Sequence, residues 1–103
     1  NSNPVTYNDP ALTARVIASM KSVLGNEGVL DAQRWTASED FPHLGIGADA
    51  PSVYFFVGGT SKGVNTETAP ANHSPRFFVD EGALRTATEA MLQASLDFLQ
   101  PAR

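Results

Sequence analysis

Cysteine is absent from the 103 residues, which excludes a disulfide framework and any thiolate-rich metal site. Positive charge is sparse: seven Lys and Arg face eleven Asp and Glu, for a formal net charge of -4. Arg15, Lys21, Arg34, Lys62, Arg76, Arg85 and Arg103 stand singly, so no basic run exists to follow a phosphate backbone, and nucleic acid is not an expected partner. Long apolar runs are missing too. Nothing approaches the roughly 20 residues that cross a bilayer, and the stretch from Asn1 to Pro10 has neither the basic start nor the apolar core of a leader, so no membrane partner is expected. The chain also lacks the glycine-rich phosphate loops of nucleotide-binding folds, a Gly-x-Ser-x-Gly nucleophile elbow and a His-Glu-x-x-His helix. No simple motif therefore accounts for its function.

What remains is 42% hydrophobic and 17% charged, the balance of one small folded domain. Pro4 favours an extended residue before it, and Val5 and Tyr7 alternate with polar neighbours. Asp9 as cap and Pro10 at the first helical position then predict a helix that ends at Gly25 or Asn26. Leu12, Val16, Ile17, Met20 and Leu24 share one face of it, as a scaffold helix covering a sheet requires. The stretch from Val29 to Thr36 reads as a short strand, with Val29, Leu30 and Trp35 available for burial. Ser38 then reads as a capping residue before Glu39 and Asp40, at a short helix or tight turn, and Gly45, Gly47 and Pro51 mark a loop.

From Ser52 to Val57 the chain is almost continuously apolar, the pattern of an interior strand with helices on both faces of its sheet. The polar connection from Gly58 to Asn72 is longer than compact domains need unless it is functional or mobile. Asp80 caps a last helix that runs to about Leu99, before Pro101 stops it. Leu84, Ala87, Met91, Ala94 and Phe98 form its stripe, widened by Leu92, Leu96 and Leu99. The order of elements predicts an α/β fold: a small mixed or parallel sheet with flanking helices.

Two places could carry chemistry. His73 closes the long connection, where the carboxyl ends of α/β strands gather ligands, and a neutral imidazole is a good donor to zinc and similar ions. A solvated loop histidine is the plainer reading. Glu39 and Asp40 form an adjacent acidic pair able to bind a metal, act as a base or orient a ligand, although acids in a first turn also serve simply to cap a helix. His43 and the pair Asp80-Glu81 read first as a packing residue and a helix start.

The ordered set Ser38-Glu39-Asp40-Phe41, the apolar strand followed by Gly58-Gly59, and Asn72-His73-Ser74-Pro75-Arg76-Phe77 leading through Asp80-Glu81-Gly82-Ala83-Leu84 resembles the M20 peptidase family. Within it, the similarity is to the amidohydrolase branch of hippurate and auxin-conjugate hydrolases, and it covers nearly the whole chain. The resemblance implies that residues 1–103 are the C-terminal segment of a split catalytic domain, the N-terminal part and an inserted domain being absent. It implies hydrolysis of an N-acyl amino acid or related small-molecule amide by a pair of divalent ions, zinc or manganese, with His73 as one metal ligand. Ser38, Glu39, Asp40 and Phe41 would line the substrate cleft, and no catalytic base falls in this segment.

Further expectations follow: an inactive isolated chain, exposed apolar surface that promotes association, homo-oligomers of the full-length protein and a cytoplasmic location. Pro42 is a departure that puts any helix at that point in doubt. The competing expectation is a self-contained α/β binding or interaction module without catalysis.

Overall fold

The structure, a computed structural model, describes residues 3–100. Helix α1 spans Pro10–Leu24. The Asp9 carboxylate accepts the Leu12 N–H at 2.8 Å, satisfying one of the donors a helix start leaves free, and Pro10 occupies a position where no N–H is needed. Gly25, at φ 75, turns the chain out of the helix in a conformation that side chains with a Cβ resist. Helix α2 spans Pro42–Ala48 and helix α3 spans Glu81–Leu99, with a 3-10 turn at Asn26–Gly28 after α1. Asp80 caps α3 by accepting the Gly82 N–H at 2.8 Å.

The expected α/β fold is not what forms. Among the described residues there is no β-strand, and the regular elements are all helical. A strand is a shared property: its N–H and C=O groups need a ladder on a neighbour. The stretch 52–57 finds only a partial one. Its partners are the Asn8 side chain, which accepts from the Tyr54 N–H at 2.8 Å and donates to the Tyr54 carbonyl at 2.9 Å, and the Asp9 N–H, which donates to the Ser52 carbonyl at 3.1 Å. A carboxamide can imitate one peptide unit but cannot continue into the next. The stretch 29–36 has no strand partner either, so the strand expected there is also absent.

The period-two alternation of the apolar stretch nevertheless survives. Val53 and Phe55 pack on the buried cluster of Val16, Met20 and Ala90 where α1 meets α3. Tyr54 and Phe56 point the other way and form an aromatic row: Tyr54 meets Phe41 at 5.0 Å and Phe56 at 5.3 Å, and Phe56 meets Trp35 edge-on at 5.3 Å. Only one face of this stretch is covered by helices; Phe56 and Trp35 are half or more exposed.

Helix α3 keeps only part of its expected stripe, since Ala94 from that stripe is buried but its large members are not. Its buried residues are Ala90 and Ala94, while Leu84, Met91 and Leu92, each more than half exposed, face outward. Small side chains at the contact let α1 approach closely, with Ser19 buried there and hydrogen-bonded to Asp97. The Arg15 guanidinium lies 4.1 Å from the centre of the Phe98 ring.

Pro42 does not prevent a helix. It is the first residue of α2, where its fixed φ suits helical entry, and Gly45 and Gly47 lie inside α2 rather than in a loop. Gly45 is constrained by space, since a Cβ there would stand 3.0 Å from the Ser52 hydroxyl. Ser38 is not the cap; Phe41 precedes α2 and contributes no side-chain bond. The stop expected at Pro101 lies outside the described residues.

The result is thin. Among the described residues Val16, Met20, Ala90 and Ala94 make up the buried core, with Pro42 buried apart from it in α2, and the radius of gyration is 15.3 Å, where a compact domain of this length measures about 13 Å. No helix among the described residues is long and apolar enough to cross a membrane.

Candidate functional site

The missing ladder leaves an open groove of about 950 Å³ bounded by the extended stretches 3–8, 28–39 and 53–58, with Val16, Met20 and Ala90 on its floor. Ser38 and Glu39 line it. So does Tyr54, whose phenol is pushed above its ordinary pKa by burial and then by the adjoining Glu39 carboxylate, which favours the protonated form through hydrogen bonding and charge. Glu39 is half-buried and Ser38 and Asp40 are exposed. Phe41 lies outside the lining but against Tyr54, and the Asp40 carbonyl accepts the His43 N–H at 3.1 Å in the turn that opens α2. The four residues expected at a cleft therefore straddle the rim of this groove.

His73 lies elsewhere. It is exposed and does not line the groove. It occupies the third position of a turn closed by the Ser74 N–H donating to the Ala71 carbonyl at 3.1 Å. Its φ is 69, the left-handed region, whereas Asn72 keeps a negative φ; this is the type II arrangement, which normally takes glycine at that position. Such strain persists where surrounding structure holds it, and it concentrates at functional residues. The next turn follows at once: the Ser74 hydroxyl accepts the Arg76 N–H at 3.2 Å, and the Phe77 N–H donates to the Ser74 carbonyl at 3.0 Å. Consecutive tight turns thus present the imidazole outward.

Chemically, the chain offers an exposed imidazole and, apart from it, an acid-lined groove. Among the described residues no three His, Cys, Asp or Glu side chains gather in a way that could hold a metal ion. Catalytic zinc sites use about three protein ligands. Residues 3–100 therefore do not make a complete metal site, and His73 fits one only as a donor completed from elsewhere. Tyr54 was missed as a groove residue by reasoning from sequence, where it read as one more apolar position in a strand; its place on the same side of the period-two pattern as Phe56 was the available signal.

Comparison with known proteins gives these features a context. The family model described as Peptidase family M20/M25/M40 matches residues 1–97. The chain is 26% identical over 97 residues to a protein of Bacillus subtilis (strain 168) named as the amidohydrolase YhaA, covering 94% of this chain and 24% of that protein. It is 31% identical over 98 residues to thermostable carboxypeptidase 2 of Saccharolobus solfataricus, covering 92% of this chain and 22% of that protein. The chain thus spans about a quarter of the length of these relatives. No solved structure gives a significant match. The match runs through both the groove and the His73 turn, and on it the chain belongs to peptidase family M20/M25/M40.

Proposed function

We propose that the polypeptide carrying this segment hydrolyses an N-acyl amino acid or a related small-molecule amide, and that residues 1–103 form the C-terminal part of its catalytic domain. The observation that carries the reading is the family match over residues 1–97, which includes the Ser38-Glu39-Asp40-Phe41 run and the Asn72-to-Phe77 run in one frame. The names of the relatives, an amidohydrolase and a carboxypeptidase, support cleavage of an amide bond.

In this reading His73 supplies one ligand to a pair of divalent ions, zinc or manganese, whose other ligands come from the remaining polypeptide. When bound, such ions polarise a carbonyl and lower the pKa of water. The chain's own part is to hold the imidazole outward on the 71–74 turn and to place Ser38, Glu39, Asp40 and Phe41 along the substrate cleft. Tyr54, its phenol raised above its ordinary pKa by burial and then by Glu39, stands beside that carboxylate in the groove. Assembly of full-length copies into a homo-oligomer belongs to the same proposal.

A self-contained binding module is disfavoured by the thin core and the uncovered aromatic row. The test is complementation. The 103-residue chain alone should not hydrolyse hippurate or other N-acyl amino acids in the presence of zinc or manganese, and co-expression with the rest of its natural polypeptide should restore turnover. Turnover by the segment alone, or none from the complete polypeptide on any N-acyl amino acid or peptide, contradicts the reading.

A further inference from the structure

The groove wall at 52–57 hangs largely on one side chain. Asn8 Oδ1 accepts the Tyr54 N–H at 2.8 Å and Asn8 Nδ2 donates to the Tyr54 carbonyl at 2.9 Å, so a single carboxamide holds both backbone groups of one residue. Asp9 continues the contact: its N–H donates to the Ser52 carbonyl at 3.1 Å, while its carboxylate caps α1 through the Leu12 N–H. Among the described residues these three bonds are the ones that hold the backbone of 52–57, and two of the three depend on the Asn8 side chain. Val53 and Phe55 rest on the core cluster, which fixes how deep the stretch lies. Depth is not register. Alternate residues of an extended stretch face opposite sides, and a shift of one residue exchanges the two sets. Val53 and Phe55 form one set and Tyr54 and Phe56 the other, and all four are apolar or aromatic. Hydropathy therefore chooses only weakly between the two settings, and a directional contact has to decide.

We propose that Asn8 is a positioning residue: its carboxamide sets the register of 52–57, so that Val53 and Phe55 turn to the core while Tyr54 and Phe56 join Trp35 in the aromatic row along the groove that Ser38 and Glu39 line. The positioning role rests on the reading of this groove as part of the substrate cleft; the register lock itself does not. A carboxamide suits the task because it carries a donor and an acceptor side by side, as a peptide group does, whereas a carboxylate has no proton for the Tyr54 carbonyl and an alanine has neither group. Asn8 is exposed, so water competes for both bonds and the expected effects are several-fold rather than complete.

The test uses the complete natural polypeptide, with hydrogen exchange of the Tyr54 amide reporting the lock and steady-state kinetics on the N-acyl amino acid it cleaves reporting the cleft. Asn8→Ala should speed exchange at Tyr54 several-fold and raise KM several-fold, while kcat and metal content stay near wild type, because His73 does not line the groove. Asp9→Ala is the control for a merely structural loss: it removes the α1 cap and lowers stability, yet leaves the Asn8 carboxamide on Tyr54. It should lower the unfolding midpoint at least as far as Asn8→Ala does, with KM and Tyr54 exchange unmoved. Tyr54→Ala removes the groove residue itself and should raise KM at least as much as Asn8→Ala.

Unchanged exchange at Tyr54 in Asn8→Ala overturns the lock. A KM raised equally in Asp9→Ala and Asn8→Ala overturns the positioning role, since any loosening of the start of α1 would then suffice. Faster exchange in Asn8→Ala with KM raised only in Tyr54→Ala also overturns that role and leaves the cleft reading standing. If KM moves in neither Asn8→Ala nor Tyr54→Ala, the groove is not the cleft, and the positioning role falls with that reading while the lock remains.

Discussion

Replacing His73 with glycine should make the protein more stable and nearly inactive. At φ 69 the histidine backbone sits where a Cβ costs about 1–2 kcal/mol, while glycine adds roughly 0.5–1 kcal/mol of unfolded-state entropy to be lost on folding. The difference, about 0–1.5 kcal/mol, favours glycine. His73→Ala retains the strain and should not show the gain, so the pair of variants separates backbone from side chain. Loss of a residue that merely supports a metal ligand typically costs about 10–100-fold, so loss of the ligand itself should lower kcat/KM by more than about 100-fold. Urea unfolding and steady-state kinetics on the complete polypeptide measure the two effects. A glycine variant that is both less stable and fully active contradicts the placement of His73 and its role together.

The largest stability loss is expected at Met20. It is 6% exposed in a cluster whose other buried members are Val16 and Ala90, with Leu24, Val29, Val53 and Phe55 packed around it. Truncating a buried methionine to alanine costs about 2–5 kcal/mol, because the cavity collapses only in part. Whole domains are stable by only about 5–15 kcal/mol, and a core this thin belongs at the low end. Met20→Ala should therefore abolish cooperative thermal unfolding of the 103-residue chain. Leu92→Ala, at a residue 56% exposed, should shift stability by no more than about 0.5 kcal/mol, as surface changes usually do. Equal effects at the two positions would mean that α3 buries the opposite face.

That contrast marks the limit of what the sequence made legible. Helix ends were readable where their causes are local: Asp9 with Pro10, Gly25 and Asp80 each act within one turn, so α1 begins and ends, and α3 begins, where those residues place them. The face of α3 was not readable in the same way. Its large residues marked a broad apolar stripe, yet the contact with α1 selects Ala90 and Ala94, because close helix approach is decided by the partner rather than by hydropathy. The strands failed for a related reason. Val53 to Val57 carries the alternation and uses it, but a ladder needs a second chain segment, and only the Asn8 side chain and the Asp9 N–H meet it.

Of the site, the outward presentation of His73 was anticipated as a loop position, whereas its left-handed backbone was not; histidine gives no sign of φ as glycine does. The acidic pair was expected at a Ser38 cap before a short helix or tight turn. A turn at Asp40 and the short helix α2 do follow, but α2 starts at Pro42 without a Ser38 cap, and of the pair Glu39 lines the groove. Tyr54 beside Glu39 came from the fold of two distant stretches and had no motif to announce it.

The central claim is that this segment contributes one metal donor, through His73, to a site completed by the rest of its polypeptide. Metal content after equilibrium dialysis tests it most directly, comparing the complete natural polypeptide, its His73→Ala variant and the 103-residue chain. The account predicts a pair of divalent ions in the first, a weakened or missing ion in the second and no tight binding by the third. Equal metal content in the first two, or tight binding by the 103 residues alone, would contradict it.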